Sequence, residues 1–197
     1  MAARYHNDSL TCVRNMLTPT NTQFKPPIPD SLVINDGNGL NINITSGKTY
    51  RVRMVNFAAF GSAMVHFDSH TMNIIMNDGT YIQEKDAYHL RLAPAQRYDV
   101  LLTAASSDTK NYPYLVSLDL NRDWTNSSEQ LDWPHNYTGY LVANASKPLN
   151  KQDVVDKWKP VDDAQFKPYD GGSMFDPYQT LIKLDFKFCL DKNGYPR

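Results

Sequence analysis

The chain has 197 residues and carries 20 basic against 21 acidic side chains, which gives a formal net charge of −1. This balance excludes a dedicated nucleic-acid binder and a polybasic membrane anchor, because both need an excess of positive charge. Aromatic residues make up 12% of the chain, which is too many for a disordered protein and favours β-strands. No apolar run is long enough to predict a transmembrane helix, and we expect no signal peptide in this chain.

The N-terminal arm, residues 1–31, is predicted to hold one short helix. Ser9 can cap a helix that runs through Leu10 and Val13 to Leu17, and Pro19 follows its end. Three prolines between residues 26 and 29 keep the chain extended after it, since each fixes its own φ and restrains the residue before it.

Residues 32–143 read as a β domain. Short alternating segments are separated by Gly, Asn and Asp turns at spacings of about 8–12 residues, which is typical of an antiparallel sandwich or barrel. The predicted strands are 32–35, 41–44, 48–57, 63–68, 71–77, 88–92, 97–103, 114–118 and 137–142. In the segment 48–57 we expect Tyr50, Val52 and Met54 on one face, with Arg51 and Arg53 on the other.

Residues 144–179 change character, with four prolines, many charged side chains and no sustained periodicity. We predict a long irregular connector that lies on a surface. Alternation returns at residues 180–189, where Leu184 and Phe186 fall on one face of a predicted strand.

Five segments, taken together, resemble the middle cupredoxin domain of fungal multicopper oxidases, the group that holds laccases, ferroxidases and pigment oxidases. The segments are residues 5–8, 29–35, 49–56, 68–72 with the Asp78-Gly79 turn that follows, and 95–101. Each segment by itself is a weak match, but the five segments occur in the order and spacing that the family has. The resemblance implies an all-β, cupredoxin-like Greek-key sandwich or barrel, and it makes residues 180–197 similar to the start of a next cupredoxin domain.

The histidine count limits what this resemblance can mean. Enzymes of the family hold a type 1 copper and a trinuclear copper cluster through His-X-His motifs and a cysteine thiolate, ligands that suit copper. This chain has five histidines and two cysteines, and it contains no His-X-His motif. We therefore expect no cofactor in this chain, with copper confined to other domains of a parent enzyme.

Asp68 is the residue to which the resemblance gives a functional role. It matches a carboxylate that lines the substrate pocket beside the type 1 copper, where it would hold Fe(II) or accept a hydrogen bond from a phenol or amine. The alternative is an aspartate that only caps a turn. His66 departs from the family, because many ferroxidase-like relatives carry a tryptophan there, and Met76 replaces an acidic residue before the Asp-Gly turn.

A metal site is a second hypothesis for this segment. The spacing of His66, Asp68 and His70 would place all three side chains on one face of a continuous strand. The sequence 69–71 reads as a turn, however, which would break this alternation. We therefore predict no metal site. If a metal were bound in this segment, His66 and His70 would be the candidate ligands. His89 lies in a predicted strand, where a surface or hydrogen-bonded histidine is the default.

Five Asn-X-Ser/Thr sequons suggest a glycoprotein from the secretory pathway, with the parent secreted or at the cell surface. They lie at Asn7, Asn43, Asn126, Asn136 and Asn144. The two cysteines, Cys12 and Cys189, match no zinc spacing, and the sequence leaves open whether they are reduced or paired.

The resemblance thus predicts a part of a laccase-like or ferroxidase-like oxidoreductase that is inactive by itself. It would hold the neighbouring copper-bearing domains, line the pocket for a small-molecule donor, and have no nucleic-acid partner. The alternative is a stand-alone β-sandwich module that binds carbohydrate or a protein through Trp124, Trp133 or Trp158.

Overall fold

The computed structural model describes residues 2–4, 9–18, 20, 31–37, 40–107, 109–119, 136–151, 155 and 157–172. Within these residues, eleven strands and one α-helix are formed. They are β1 (Ala2–Arg4), α1 (Ser9–Leu17), β2 (Ser31–Val33), β3 (Asn41–Asn43), β4 (Thr49–Val55), β5 (Ala63–Phe67), β6 (Met72–Asn77), β7 (Thr80–Ala87), β8 (His89–Leu92), β9 (Arg97–Thr103), β10 (Tyr112–Leu118) and β11 (Asn136–Val142). In this described part no helix is long and apolar enough to cross a membrane.

Two main sheets form a β-sandwich, as the alternating pattern predicts. The five-stranded sheet has the order β3-β11-β10-β5-β8, and the four-stranded sheet has the order β4-β9-β6-β7. The pairings are antiparallel except for β3 with β11, which is parallel. From β4 to β6, and again from β7 to β10, each step along the chain crosses to the other sheet. The expected all-β, cupredoxin-like sandwich with a short N-terminal helix is confirmed.

The core lies between the inner faces of the two sheets, where alternate side chains of each strand meet. In β6 and β9 the inward residues are fully buried, while their sequence neighbours are polar or partly exposed. The largest apolar side chains with less than 2% exposure are Tyr98, Met72, Ile74, Leu90, Leu92, Leu141 and Val100. Burial of these side chains is the main favourable term for the fold.

A buried asparagine fixes the loop between β4 and β5. The Asn56 side chain is fully buried, and its Nδ2 donates to the carbonyl oxygens of Gly61 at 2.9 Å and Leu92 at 3.0 Å. Its Oδ1 accepts from the Ala58 N–H at 3.0 Å. One side chain therefore satisfies three backbone groups and ties this loop to the end of β8.

A buried carboxylate lies on the outer face of the four-stranded sheet. Asp99 is only 2% exposed, and its Oδ2 accepts from Arg51 Nε at 2.7 Å and lies 3.4 Å from Arg53 Nε. Arg97 pairs with a different carboxylate, since its Nη2 lies 3.7 Å from Asp78 Oδ1. Arg51 and Arg53 thus share the outward face of β4, as the alternation of this strand predicts.

The strand β7 is absent from the sequence-based prediction. Six of its eight residues are exposed, so it lacks the alternation that marks a half-buried strand. It is the edge of its sheet, and the connector covers it: the Gln83 N–H donates to the Lys167 carbonyl at 2.9 Å, and the Tyr169 N–H donates to the Tyr81 carbonyl at 2.9 Å. These bonds satisfy backbone groups that an open edge would leave to solvent.

We predict that Asn56→Ala lowers the free energy of unfolding by about 3 kcal/mol, because it leaves buried backbone groups without partners. Urea unfolding of the purified chain measures this loss. The matched control is Asn41→Ala at an exposed position of β3, for which we expect a change within about 0.5 kcal/mol. Equal effects of the two substitutions would contradict the anchoring role of Asn56.

We also predict that Gly139→Ala is destabilising by about 2 kcal/mol, because a Cβ at this position of β11 has no space. It would overlap the Tyr114 ring and lie 2.6 Å from the Leu40 carbonyl oxygen. Tyr114 cannot simply turn aside, since its hydroxyl donates to that carbonyl at 2.9 Å. Gly37→Ala is the control, because a Cβ added at Gly37 would lie 3.9 Å from its nearest atom, the Ile34 carbonyl oxygen. Thermal unfolding that ranks Gly37→Ala as the worse variant would refute this packing argument.

Candidate functional site

The turn after β5 determines where Asp68 and His70 lie. The chain turns at Asp68 and Ser69, with Ser69 at a φ of 61°, and the His70 N–H donates to the Phe67 carbonyl at 3.1 Å. The Asp68 N–H donates to the Pro113 carbonyl at 3.0 Å. A turn is thus present, centred on Asp68 and Ser69 and so earlier than the predicted 69–71, and it separates His70 from the face that carries His66 and Asp68.

The Asp68 carboxylate is buried against a histidine. The residue is 3% exposed, and its Oδ1 lies 3.0 Å from His66 Nε2. The His66 side chain is 14% exposed. The carboxylate that the resemblance assigns to the donor pocket therefore lies behind an imidazole and is not free at the surface.

The second contact of His66 involves its other ring nitrogen. His66 Nδ1 lies 3.0 Å from the Tyr88 carbonyl oxygen, which can only accept, so this contact is a hydrogen bond when Nδ1 carries the hydrogen. Because Nε2 faces Asp68 Oδ1, the two residues form an ion pair when the imidazole is protonated, and their charges then cancel.

His70 is held apart from this pair. Its Nδ1 lies 2.8 Å from the Asp68 carbonyl oxygen, and its ring meets the Tyr112 ring edge to face at 4.7 Å. The residue is 5% exposed, and its Nε2 has no hydrogen-bond partner among the described residues. His70 therefore fills a packing position against β10.

The structure does not unite the three residues considered as a metal site. Both nitrogens of His66 already face protein oxygen atoms, which leaves it no lone pair for a metal. Across the described ranges, no group of three or more His, Cys, Asp and Glu side chains could hold a metal ion. The chemistry available to His66 and Asp68 is proton exchange and charge neutralisation.

His89, expected as a surface or hydrogen-bonded histidine, is hydrogen-bonded and also belongs to this site, a place that the sequence does not assign to it. Strand pairing places it directly opposite His66, with the two ring centroids 5.0 Å apart. On its other side lies the Trp158 ring at 5.1 Å, and the Lys159 N–H donates to His89 Nδ1 at 2.9 Å. Nothing in the local sequence reveals this contact, because it depends on the register between β5 and β8.

Burial and nearby positive charge disfavour protonation of His89. Partial burial lowers the pKa of His89 most, and the positive charges of His66 and Lys159 lower it further. The two adjacent histidines therefore have different surroundings: His66 faces a carboxylate, whereas burial and positive charge lower the pKa of His89.

The remaining candidate residues divide into those inside and those outside the described ranges. Asn43 and Asn136 are exposed, and Asn144 is partly buried, with its Oδ1 accepting from the Ser146 N–H at 2.9 Å. Met76 Sδ accepts from the Gly79 N–H at 2.9 Å in the tight turn after β6. Outside the described residues or side chains lie Asn7, Asn126, Trp124, Trp133, Cys12 and Cys189.

Comparison with known proteins places this geometry in a family. The family model described as multicopper oxidase matches residues 4–145. An iron transport multicopper oxidase, fetC of Epichloe festucae, is 30% identical over 181 residues, which cover 92% of this chain and 29% of that protein. A protein of the same description, FET3 of Gibberella zeae, is 29% identical over 96% of this chain and 30% of its own length. The chain thus spans about three tenths of these relatives.

Solved structures give the same assignment. The crystal structure of Fet3p, described as a multicopper oxidase that functions in iron import, superposes with a TM-score of 0.89 at 25% identity, over 99% of this chain and 36% of that one. The laccase of Botrytis aclada, with a TM-score of 0.63 at 18% identity over 85% of this chain and 33% of its own, shares the fold. The predicted resemblance is therefore confirmed: the chain belongs to the multicopper oxidase family, of which it covers a cupredoxin domain.

Proposed function

We propose that the chain is the middle cupredoxin domain of a fungal multicopper oxidase, that it binds no copper itself, and that it holds the copper-bearing domains in register. The observation that carries this proposal is the near-complete superposition of this chain on about a third of Fet3p. A domain of this size with two continuous sheets is a rigid element against which neighbouring domains can pack.

The donor groups in the part of the chain that the structure describes do not fit the copper centres of the family. A blue copper site needs two imidazoles and a thiolate around one ion. In the described part, His66 and His70 are separated by the turn after β5, and the His89 Nδ1 lone pair accepts a backbone hydrogen bond. The reaction proposed for the parent is the one-electron oxidation of phenols, amines or Fe(II), coupled to the reduction of O₂ to water. This chain alone would be inactive.

Asp68 and His66 are the residues that we place toward the donor pocket of the parent. With His66 protonated, the pair at the end of β5 offers little Coulomb attraction to a cation, since its positive and negative charges cancel at 3.0 Å. It can accept the proton that a phenol or an amine loses as it is oxidised, because Asp68 and His66 can rearrange the proton between them. The arrangement therefore favours a neutral organic donor over Fe(II).

The partners and location follow from the same proposal. The partners are the neighbouring cupredoxin domains and a small-molecule donor, and the parent is secreted or held at the cell surface. Exposed sequons at Asn43 and Asn136 support passage through the secretory pathway. The alternative, a stand-alone carbohydrate-binding module, lacks such support in the described residues, because Trp158 packs on His89 and is not an open platform.

We predict that the purified chain, dialysed against Cu(II), develops no intense blue absorption, because no two-histidine, one-cysteine site can form. Electron paramagnetic resonance of the same sample should show only the signal of loosely bound Cu(II), which a chelating resin removes. A blue protein with stoichiometric copper after the resin would overturn the proposal that the chain is copper-free.

We further predict that Asp68→Asn in the whole parent enzyme raises KM for a phenolic donor about tenfold with unchanged copper content. The substitution keeps the size of the side chain but removes its capacity to share a proton with His66. The control is Asp86→Asn, a carboxylate on the exposed edge strand β7 of the other sheet, which should leave KM unaltered. An unchanged KM for Asp68→Asn would reduce Asp68 to a turn residue.

A further inference from the structure

Three contacts from one segment of the connector converge on His89. The Lys159 N–H donates to His89 Nδ1 at 2.9 Å, and the Val161 N–H donates to the His89 carbonyl oxygen at 3.3 Å. The Trp158 ring lies 5.1 Å from the His89 ring at an angle of 61°. Since β8 is the edge of the five-stranded sheet, residues 157–161, here called the edge segment, cover part of that edge.

The first of these contacts requires His89 to be neutral. A backbone N–H can only donate, so His89 Nδ1 must present a lone pair and the ring hydrogen must be on Nε2. A protonated ring carries hydrogen on both nitrogens. Its Nδ1–H would then point at the Lys159 N–H over 2.9 Å, which converts an attraction into a repulsion.

We propose that His89 is a proton-operated latch, whose neutral ring holds the edge segment on β8 and whose protonated ring releases it. The latch lies outside the copper chemistry proposed for the parent and does not depend on it. Its consequence is that acid uncovers the edge of the five-stranded sheet together with Trp158, while the rest of the sandwich stays folded.

The charged groups around His89 favour the closed latch near neutral pH. From β5, His66 faces the ring at 5.0 Å and lies 3.0 Å from Asp68 Oδ1; from the edge segment, Lys159 adds a positive charge. Two positions along β8, Arg91 is paired with Asp119 at 2.7 Å. Burial and the charges of His66 and Lys159 lower the pKa of His89 below its ordinary value.

The direction of the pH dependence follows from this lowered pKa. A histidine whose pKa is lower in the folded state binds fewer protons there than in the released state. The closed latch therefore has its full stability above about pH 6.5, the ordinary histidine value, and loses it as the pH falls toward the lowered pKa. Acid opens the latch, and neutral pH closes it.

Hydrogen exchange of individual backbone amides tests this latch in the chain as it stands. Between pH 7 and pH 5, protection of the Lys159 and Val161 amides, corrected for the intrinsic exchange rate, should fall by about tenfold or more. The Gln83 and Tyr169 amides, which bind the connector to β7, should keep their protection. Unchanged protection at Lys159, or an equal loss at Gln83 and Tyr169, would overturn a local latch.

Two variants make the test specific to His89. In His89→Asn the amide oxygen can accept from Lys159 but does not titrate, so we expect protection at Lys159 that is independent of pH. In His66→Gln the neighbouring charge is removed while a polar side chain remains, so the loss of protection should move to higher pH. The same acid-induced loss in His89→Asn as in the parent sequence would refute the proposal.

A measurement on the unmodified chain covers the case in which a variant does not fold. The nitrogen chemical shifts of the His89 ring report which nitrogen carries hydrogen. The latch requires hydrogen on Nε2 and a lone pair on Nδ1 at pH 7. Hydrogen on Nδ1 at that pH would overturn the proposal regardless of the variants.

Discussion

The structure depends on the position of β5 between β8 and β10. Because side chains alternate along a strand, the residues that send Val65 and Phe67 into the core send His66 to the other face. The antiparallel register with β8 then sets His66 opposite His89, and the turn after Phe67 brings Asp68 back to His66. Core burial and the polar cluster are thus two consequences of one register, and a slip of one residue would destroy both.

Two buried asparagine side chains hydrogen-bond to backbone groups where loops join strands. Asn111 is 1% exposed; its Oδ1 accepts from the Ala143 and Asn144 N–H groups, and its Nδ2 donates to the Asn144 and Lys147 carbonyls. In the loop between β4 and β5, the Asn56 side chain likewise hydrogen-bonds to three backbone groups. A neutral amide can bridge several backbone groups without the desolvation cost of a charge, which explains why amides rather than ion pairs fix these loops.

How much the sequence predicts depends on whether a feature is local. Strands that bury one face, such as β6 and β9, follow from alternation, and a short helix near Ser9 is expected from its sequence pattern. The edge strand β7 does not follow from alternation, since only Ile82 and Ala87 of its eight residues are buried. Among the arginines, alternation places Arg51 and Arg53 on the correct face, and the register between β4 and β9 sets Arg53 directly opposite Asp99. The closer partner of Asp99 is nevertheless the diagonal Arg51, which neither alternation nor register predicts. The contact between His66 and His89 does follow from a register, that between β5 and β8, which no single segment of the sequence reveals.

The connector packs against both sheets of the domain. Its prolines and charges predict an irregular segment that lies on a surface, and residues 157–161 cover the edge of one sheet at β8 while residues 167–169 cover the edge of the other at β7. Prolines suit this task, because a strand edge needs only some of the donors of the chain that covers it, and Pro168 forms an isolated bridge with Ile82. The same stretch therefore closes both sheets on one side of the sandwich, and a boundary drawn at residue 143 would leave two edge strands open. The described residues after β11 are thus a structural part of the domain, and the contact of residues 157–161 with His89 is where we propose that this closure responds to pH.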